Sequence, residues 1–276
     1  NVYGGISKVG NATRENTIGV SSGTYTNAYG GYTDVPLNIG SDNAKSKEKG
    51  NSHDNTITVS GSADIGTVYG GYTKAASGTA TKNTVNVTGG SAAKVVGAQS
   101  TGDATGNKVN ISGGNVTNVI GSISTGGAAS NNEITLSGGV TVDSVLGGQG
   151  TTTENNKVNL EGATVNGSVK GGSAVGAGHE LTVKRANTVG SLVGFGKLTF
   201  DVGTAAANPM LTLNGGASAF DWQKLEVNGT TVDPVTLMEN EAGISFSNYD
   251  GAKSKINSAD TTEFNIDTEN RTASDN

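Results

Sequence analysis

The 276 residues include 44 glycines, 3 prolines and no cysteine, with 33% hydrophobic and 5% aromatic residues and a formal net charge of −6. So little apolar and aromatic material is poor for a globular core, while the scarcity of proline and a regular apolar pattern argue against a disordered chain. The acidic balance disfavours nucleic acid or an anionic membrane surface as a partner, because both reward clustered Lys and Arg.

In chain order, the opening stretch Asn1–Ser7 (NVYGGIS) reads as the second half of a repeat, so the chain is expected to begin mid-repeat, as a piece of something longer. Further copies start at Asn16, Asn55, Asn83, Asn107, Asn132, Asn156 and, degraded, at His179. After each start, apolar residues recur two and four positions on, as in Ile57 and Val59, Val109 and Ile111, or Val158 and Leu160. That spacing predicts a strand with one buried face. A Gly-bearing turn follows at Gly89–Gly90, Gly113–Gly114 and Gly138–Gly139. A second buried strand is then expected, carrying Tyr25, Ile65, Ala92, Val116, Val142, Val165 and Val189, and after them Ala28, Val68, Val95, Val119, Val145, Val169 and Leu192. The later Gly-Gly pairs are read as a second turn closing that strand.

The stretch from Asn to the second core residue is nearly constant, whereas the return to the next Asn shrinks along the chain. Length variation confined to one arc is what stacked coils allow, since neighbours above and below fix the rest. The repeat, converging on about 24 residues, therefore predicts an all-β, right-handed parallel β-helix. Residues 1–196 form the repeat, 197–267 a less regular C-terminal continuation or cap with longer strands, and 268–276 a frayed tail. Phe220 and Trp222 are expected to cover the end of the stack.

The Asn that opens each copy shares the phase of the inward residues. Asn16, Asn55, Asn83, Asn107, Asn132 and Asn156 are thus expected to form an internal ladder of hydrogen-bonded amides, with His179 as its terminal member. A metal or ligand site at that column is disfavoured, because amides are weak ligands and no carboxylate shares it. With two His, no Cys and dispersed carboxylates (Asp64, Asp103, Glu133, Asp143, Glu154, Glu161), no catalytic residue, metal site or cofactor is expected. The common nucleophile-elbow, phosphate-loop and metal-ligand motifs are absent, as is the calcium-binding nonapeptide.

Tyr3, Tyr29 and Tyr69 share one column beside Gly-Gly, and Tyr32 and Tyr72 share another. Both columns border the longest excursions from the repeat, Thr33–Asp54 and Thr73–Lys82. Loops on a solenoid are where a binding surface is elaborated without disturbing the core. Tyr29, Tyr32, Tyr69 and Tyr72, with the loop lysines Lys45, Lys47 and Lys49, are therefore the candidate ligand-binding residues. The alternative is cross-strand stacking that serves the rod alone.

The units ending VYGGIS, VYGGYT or VLGGQG, most of them after strands such as NTVNVTGG, resemble the passenger regions of bacterial autotransporters, the type V secreted surface proteins. The resemblance covers about residues 1–196. It implies a secreted rod at the bacterial cell surface, anchored in the outer membrane only through a C-terminal barrel that this chain lacks. It also implies adhesion without catalysis, to a host cell-surface protein or glycan or to another copy of the chain. No GDSG-type motif of the serine-protease passengers is present. A polysaccharide-cleaving β-helix enzyme and a passive spacer or self-associating rod are the alternatives.

Overall fold

A computed structural model describes residues 1–8, 12–34, 50–173, 178–203, 207–229 and 235–248. The chain forms the expected parallel β-helix: every paired strand among the described residues runs parallel to its partner, one coil above the last. Trp222–Lys224 is a single turn of 3-10 helix and the one helical element there.

Each coil has three faces. The first carries Thr17–Val20, Thr56–Val59, the start of Thr84–Ser100 and of Lys108–Ile120, then Glu133–Ser137, Lys157–Glu161 and Glu180–Lys184. Their register is the one the period-two pattern predicts, with Ile57 on Val85, Val85 on Val109, Val109 on Ile134 and Ile134 on Val158. The second face aligns Ala28, Val68, Val95, Val119 and Val145. These side chains fill the bore and are fully buried or nearly so. Stacking similar aliphatic groups coil on coil gives a continuous core from a sequence too poor in large side chains to build a globular one.

The third face is only two residues deep: Thr13–Arg14, Ser52–His53, Ala80–Thr81 and Ala104–Thr105 form a separate four-stranded sheet. A left-handed residue then turns each chain into the ladder Asn: Glu15, Asp54, Lys82, Gly106, Asn131 and Asn155 all have φ between 52° and 67°. This corner recurs in six coils without a constant residue type, so nothing in the composition marked it.

Two expectations are corrected. Of the pairs expected at the first turn, Gly138–Gly139 lies at one, whereas Gly89–Gly90 and Gly113–Gly114 lie inside the continuous strands Thr84–Ser100 and Lys108–Ile120, with positive φ at Gly90, Gly114, Gly138 and Gly139. The pairs Gly30–Gly31 and Gly70–Gly71 likewise lie inside strands, Thr24–Thr33 and Asp64–Thr73, and without positive φ. Their purpose is close approach. A Cβ on Gly30, Gly70, Gly97, Gly121 or Gly147 would land on the carbonyl oxygen of the equivalent glycine one coil on, and beside the Cβ of the ladder Asn. The next position is less demanding, since Ala98 and Ser122 occupy it in later coils.

The second correction concerns residues beyond 196. Lys197–Asp201 stays in register with Glu180–Lys184 and with Leu225–Asn228, while Asn187–Val193 pairs with Leu211–Leu213 and that with Met238–Glu239. The helix thus continues, on strands of two to five residues rather than longer ones. Trp222 is buried there, edge-on to Phe246 with ring centroids 5.2 Å apart. The tail 268–276 lies outside the described residues.

Candidate functional site

The ladder comes first, because it fixes the corner on which the candidate surface stands. Asn16 Nδ2 donates to Asn55 Oδ1 at 2.7 Å, Asn55 to Asn83 at 2.9 Å, Asn83 to Asn107 at 3.1 Å, Asn107 to Asn132 at 3.2 Å and Asn132 to Asn156 at 3.0 Å. Each Oδ1 also accepts the backbone N–H of the preceding ladder residue. The second amide hydrogen goes back to a third-face carbonyl of the coil before, from Asn55 to Thr13, Asn83 to Ser52 and Asn107 to Ala80. An interior amide therefore uses both donors and accepts twice, which is its full capacity. Asn55, Asn83, Asn107, Asn132 and Asn156 show no exposure at all. A group so saturated and so enclosed is structural, and it has nothing left for a ligand.

Just outside this ladder, the tyrosines on either side of Gly-Gly come together on the second face. Tyr3, Tyr29 and Tyr69 stack with centroids 5.1 and 5.2 Å apart at 6° between planes. Tyr32 and Tyr72 stack at 5.3 Å and 7°. The two columns meet edge to face, as in Tyr29 with Tyr32 at 4.9 Å and Tyr69 with Tyr72 at 5.0 Å. Offset and edge contacts of this kind add about 0.5–1.5 kcal/mol each beyond burial.

All four predicted tyrosines are therefore brought together, but as partners of one another first. Tyr29 and Tyr32 keep only 7% and 8% of their surface, so the cluster itself encloses them. Tyr3, Tyr69 and Tyr72 remain half-buried and hold what the cluster shows to solvent. Burial first, then the neighbouring phenols, holds the Tyr29 hydroxyl well above the ordinary tyrosine range, and burial likewise raises Tyr32 and Tyr69. Lys45, Lys47 and Lys49 lie outside the described residues.

The sequence reading missed two charged neighbours. Asp34 accepts a hydrogen bond from the Tyr32 hydroxyl at 3.3 Å, and the Lys74 ammonium lies 5.9 Å from the Tyr32 ring centroid. Hydrogen bonding to Tyr32 raises Lys74 above its ordinary range. Their signal was legible, because each follows the second tyrosine of its coil by two residues, in Tyr32-Thr33-Asp34 and Tyr72-Thr73-Lys74. Along the rod both columns lose their rings: Val96, Ile120, Leu146 and Lys170 continue the first, and Gln99 the second, in register.

Among the described residues, no three His, Cys, Asp or Glu gather into a group that could hold a metal ion. The carboxylates instead take separate local partners: Asp64 accepts from Ser91, Asp103 from the Ala128 N–H, Asp143 from Asn166, and Glu161 pairs with Lys184. Compared with protein-family models, curated proteins and solved structures, the chain finds no match.

Proposed function

We propose that this β-solenoid is part of an extracellular adhesin, a surface-display rod of the autotransporter passenger type that binds a host protein, a glycan or a second copy of itself without catalysis. The observation that supports the reading is the tyrosine cluster. The rod does not need it, because the next coil fills the same two positions with Val96 and Gln99 and keeps the same ladder. Rings with half-buried edges, flanked by Asp34 and Lys74, offer rigid apolar area with polar tips at low conformational cost, as recognition surfaces do.

The same substitution by the neighbouring coil supplies the test. Y69V and Y72Q together copy the Val96/Gln99 pair and should leave the strand signal in circular dichroism intact. Attachment to a glycan and matrix-protein array and to cells should fall at least tenfold. Equal attachment by the parent and the double variant would make the rod a spacer. Release of new reducing or unsaturated ends from a polysaccharide panel would favour the enzyme instead.

A further inference from the structure

The amide ladder has one polarity. Every link passes a hydrogen from one coil to an oxygen of the next, and a carboxamide oxygen keeps its acceptor character at any pH a protein survives. The last link differs. Asn156 N–H donates at 3.1 Å to Nδ1 of His179, an imidazole standing where the other coils place Oδ1. Accepting at Nδ1 requires the neutral ring with its hydrogen on Nε2.

The site is closed. His179 is 1% exposed; no hydrogen bond of normal geometry reaches its Nε2, although the Thr153 backbone beside the ring favours its protonated form. Gly171 and Gly172 make room for it, since a Cβ on Gly171 would fall 2.6 Å from the imidazole Cβ, and one on Gly172 would crowd Thr153 and Nε2. In the following coil the corresponding position is Gly196, whose N–H bonds the His179 carbonyl, so no side chain continues the column. The packed groups Thr153, Asn156, Gly171 and Gly172 are uncharged. Glu154 is the carboxylate acting on the ring, in the direction of protonation, while burial acts more strongly against it. On the solvent side Lys157 and Glu180 pair with each other at 3.1 Å.

We propose that His179 is an acid-sensitive latch: a proton on Nδ1 turns the acceptor into a donor facing the Asn156 N–H, and the coil that begins at Asn156 loosens from the one above it. The ladder from Asn16 to Asn156 contains only amides and stays shut. The stack then loosens at this one junction, between the coils of Asn156 and His179, as its surroundings acidify.

The sign follows from linkage. Burial lowers the folded pKa of His179 below its ordinary value, so the unfolded or opened state binds more protons. Stability is full above an ordinary histidine pKa of about 6.5 and declines as pH falls below it toward the folded value.

The test compares two segments of the same intact chain. Amide hydrogen exchange, corrected for its intrinsic pH dependence, is followed by mass spectrometry over residues 156–171 and, as internal reference, 83–98. From about pH 7.5 to about pH 5, protection at 156–171 should fall about tenfold or more in the parent, while 83–98 holds. H179N restores the amide of every other coil and should remove the fall. An equal fall in the parent and H179N, or none in the parent, overturns the latch. Nitrogen NMR of the parent imidazole gives a check independent of any variant: at neutral pH it should report hydrogen on Nε2, and hydrogen on Nδ1 would exclude the mechanism.

Discussion

The coils before Lys108 and those after it share an interior and differ outside. Inside, Asn55 and Asn132 make the same saturated contacts, and Gly70 and Gly147 leave the same opening. Outside, the leading position of the first face is Thr17, Thr56 and Thr84 in the early coils, then Lys108, Glu133, Lys157, Glu180 and Lys197. The second-face corner is aromatic early and aliphatic or polar later. The return arc shortens too, with ladder spacings of 39 and 28 residues giving way to 24, 25, 24 and 23. What stacks the coils is thus separable from what the coils display.

Breaking the shared interior should have the largest effect. N107A removes the acceptor of two buried donors, the Asn83 N–H and Nδ2, and also leaves the Ala80 carbonyl without its amide hydrogen. Two orphaned donors at about 1–3 kcal/mol each put the loss near 4 kcal/mol. Urea unfolding followed by circular dichroism measures it. An unchanged midpoint would mean that the ladder carries no stability.

The two glycine positions sharpen the same point at a smaller scale. G97A sets a methyl against the Gly121 carbonyl oxygen, a backbone atom that moves only if the coil does, and should cost about 2–3 kcal/mol. G71A meets the Asn83 side chain instead, at a position the next coil fills with Ala98, and should cost about 1 kcal/mol. Equal losses from the two variants, read in the same urea titration, would remove the distinction between a required glycine and a tolerated one.

That distinction also shows what the sequence disclosed. Period-two spacing placed Ile57 on Val85 and the asparagines in the bore, because burial on one side of a strand leaves an alternation that residue types report directly. It assigned one role to all Gly-Gly pairs, because two different needs, positive φ at Gly90 and close approach at Gly70, select the same residue. The left-handed corner at Glu15, Asp54 and Lys82 was hidden for the opposite reason: one conformation is held by unlike residues, imposed by the stack rather than by local preference. At the candidate site, both tyrosine columns were legible from the repeat. That Tyr29 and Tyr32 spend their surface on each other is a contact across Gly-Gly between positions three apart, which period-two spacing does not reveal.

The aromatic corner gives the early coils a pH response that the later ones lack. Raised folded pKa values at Tyr29, Tyr32 and Tyr69 mean that the fold favours the neutral phenols. Their contribution is complete below the ordinary tyrosine pKa of about 10 and is lost as pH rises through the folded values. Absorbance at phenolate wavelengths should show a group of tyrosines that ionises only with unfolding. Hydrogen exchange at alkaline pH should open residues 56–73 before 133–146. A single normal titration would show that the rings are open to water.

The smallest effect belongs to the charged column of the later coils. Lys108 meets Glu133 at 3.3 Å and Lys157 meets Glu180 at 3.1 Å, all four partly exposed. Exposed pairs of this kind are worth at most about 1 kcal/mol, and unlike neighbours on adjacent strands are favoured over like ones. K157E sets a carboxylate between Glu133 and Glu180, so it should cost about 1 kcal/mol at low salt and much less in about 1 M salt, where screening acts within about 3 Å. T84E lies between Thr56 and Lys108 and should be neutral or slightly stabilising, with the opposite salt dependence. If both variants lose the same stability and neither responds to salt, the alternation from Lys108 onward is decoration. The early and late coils would then differ outside only in the tyrosine corner and the length of the return arc.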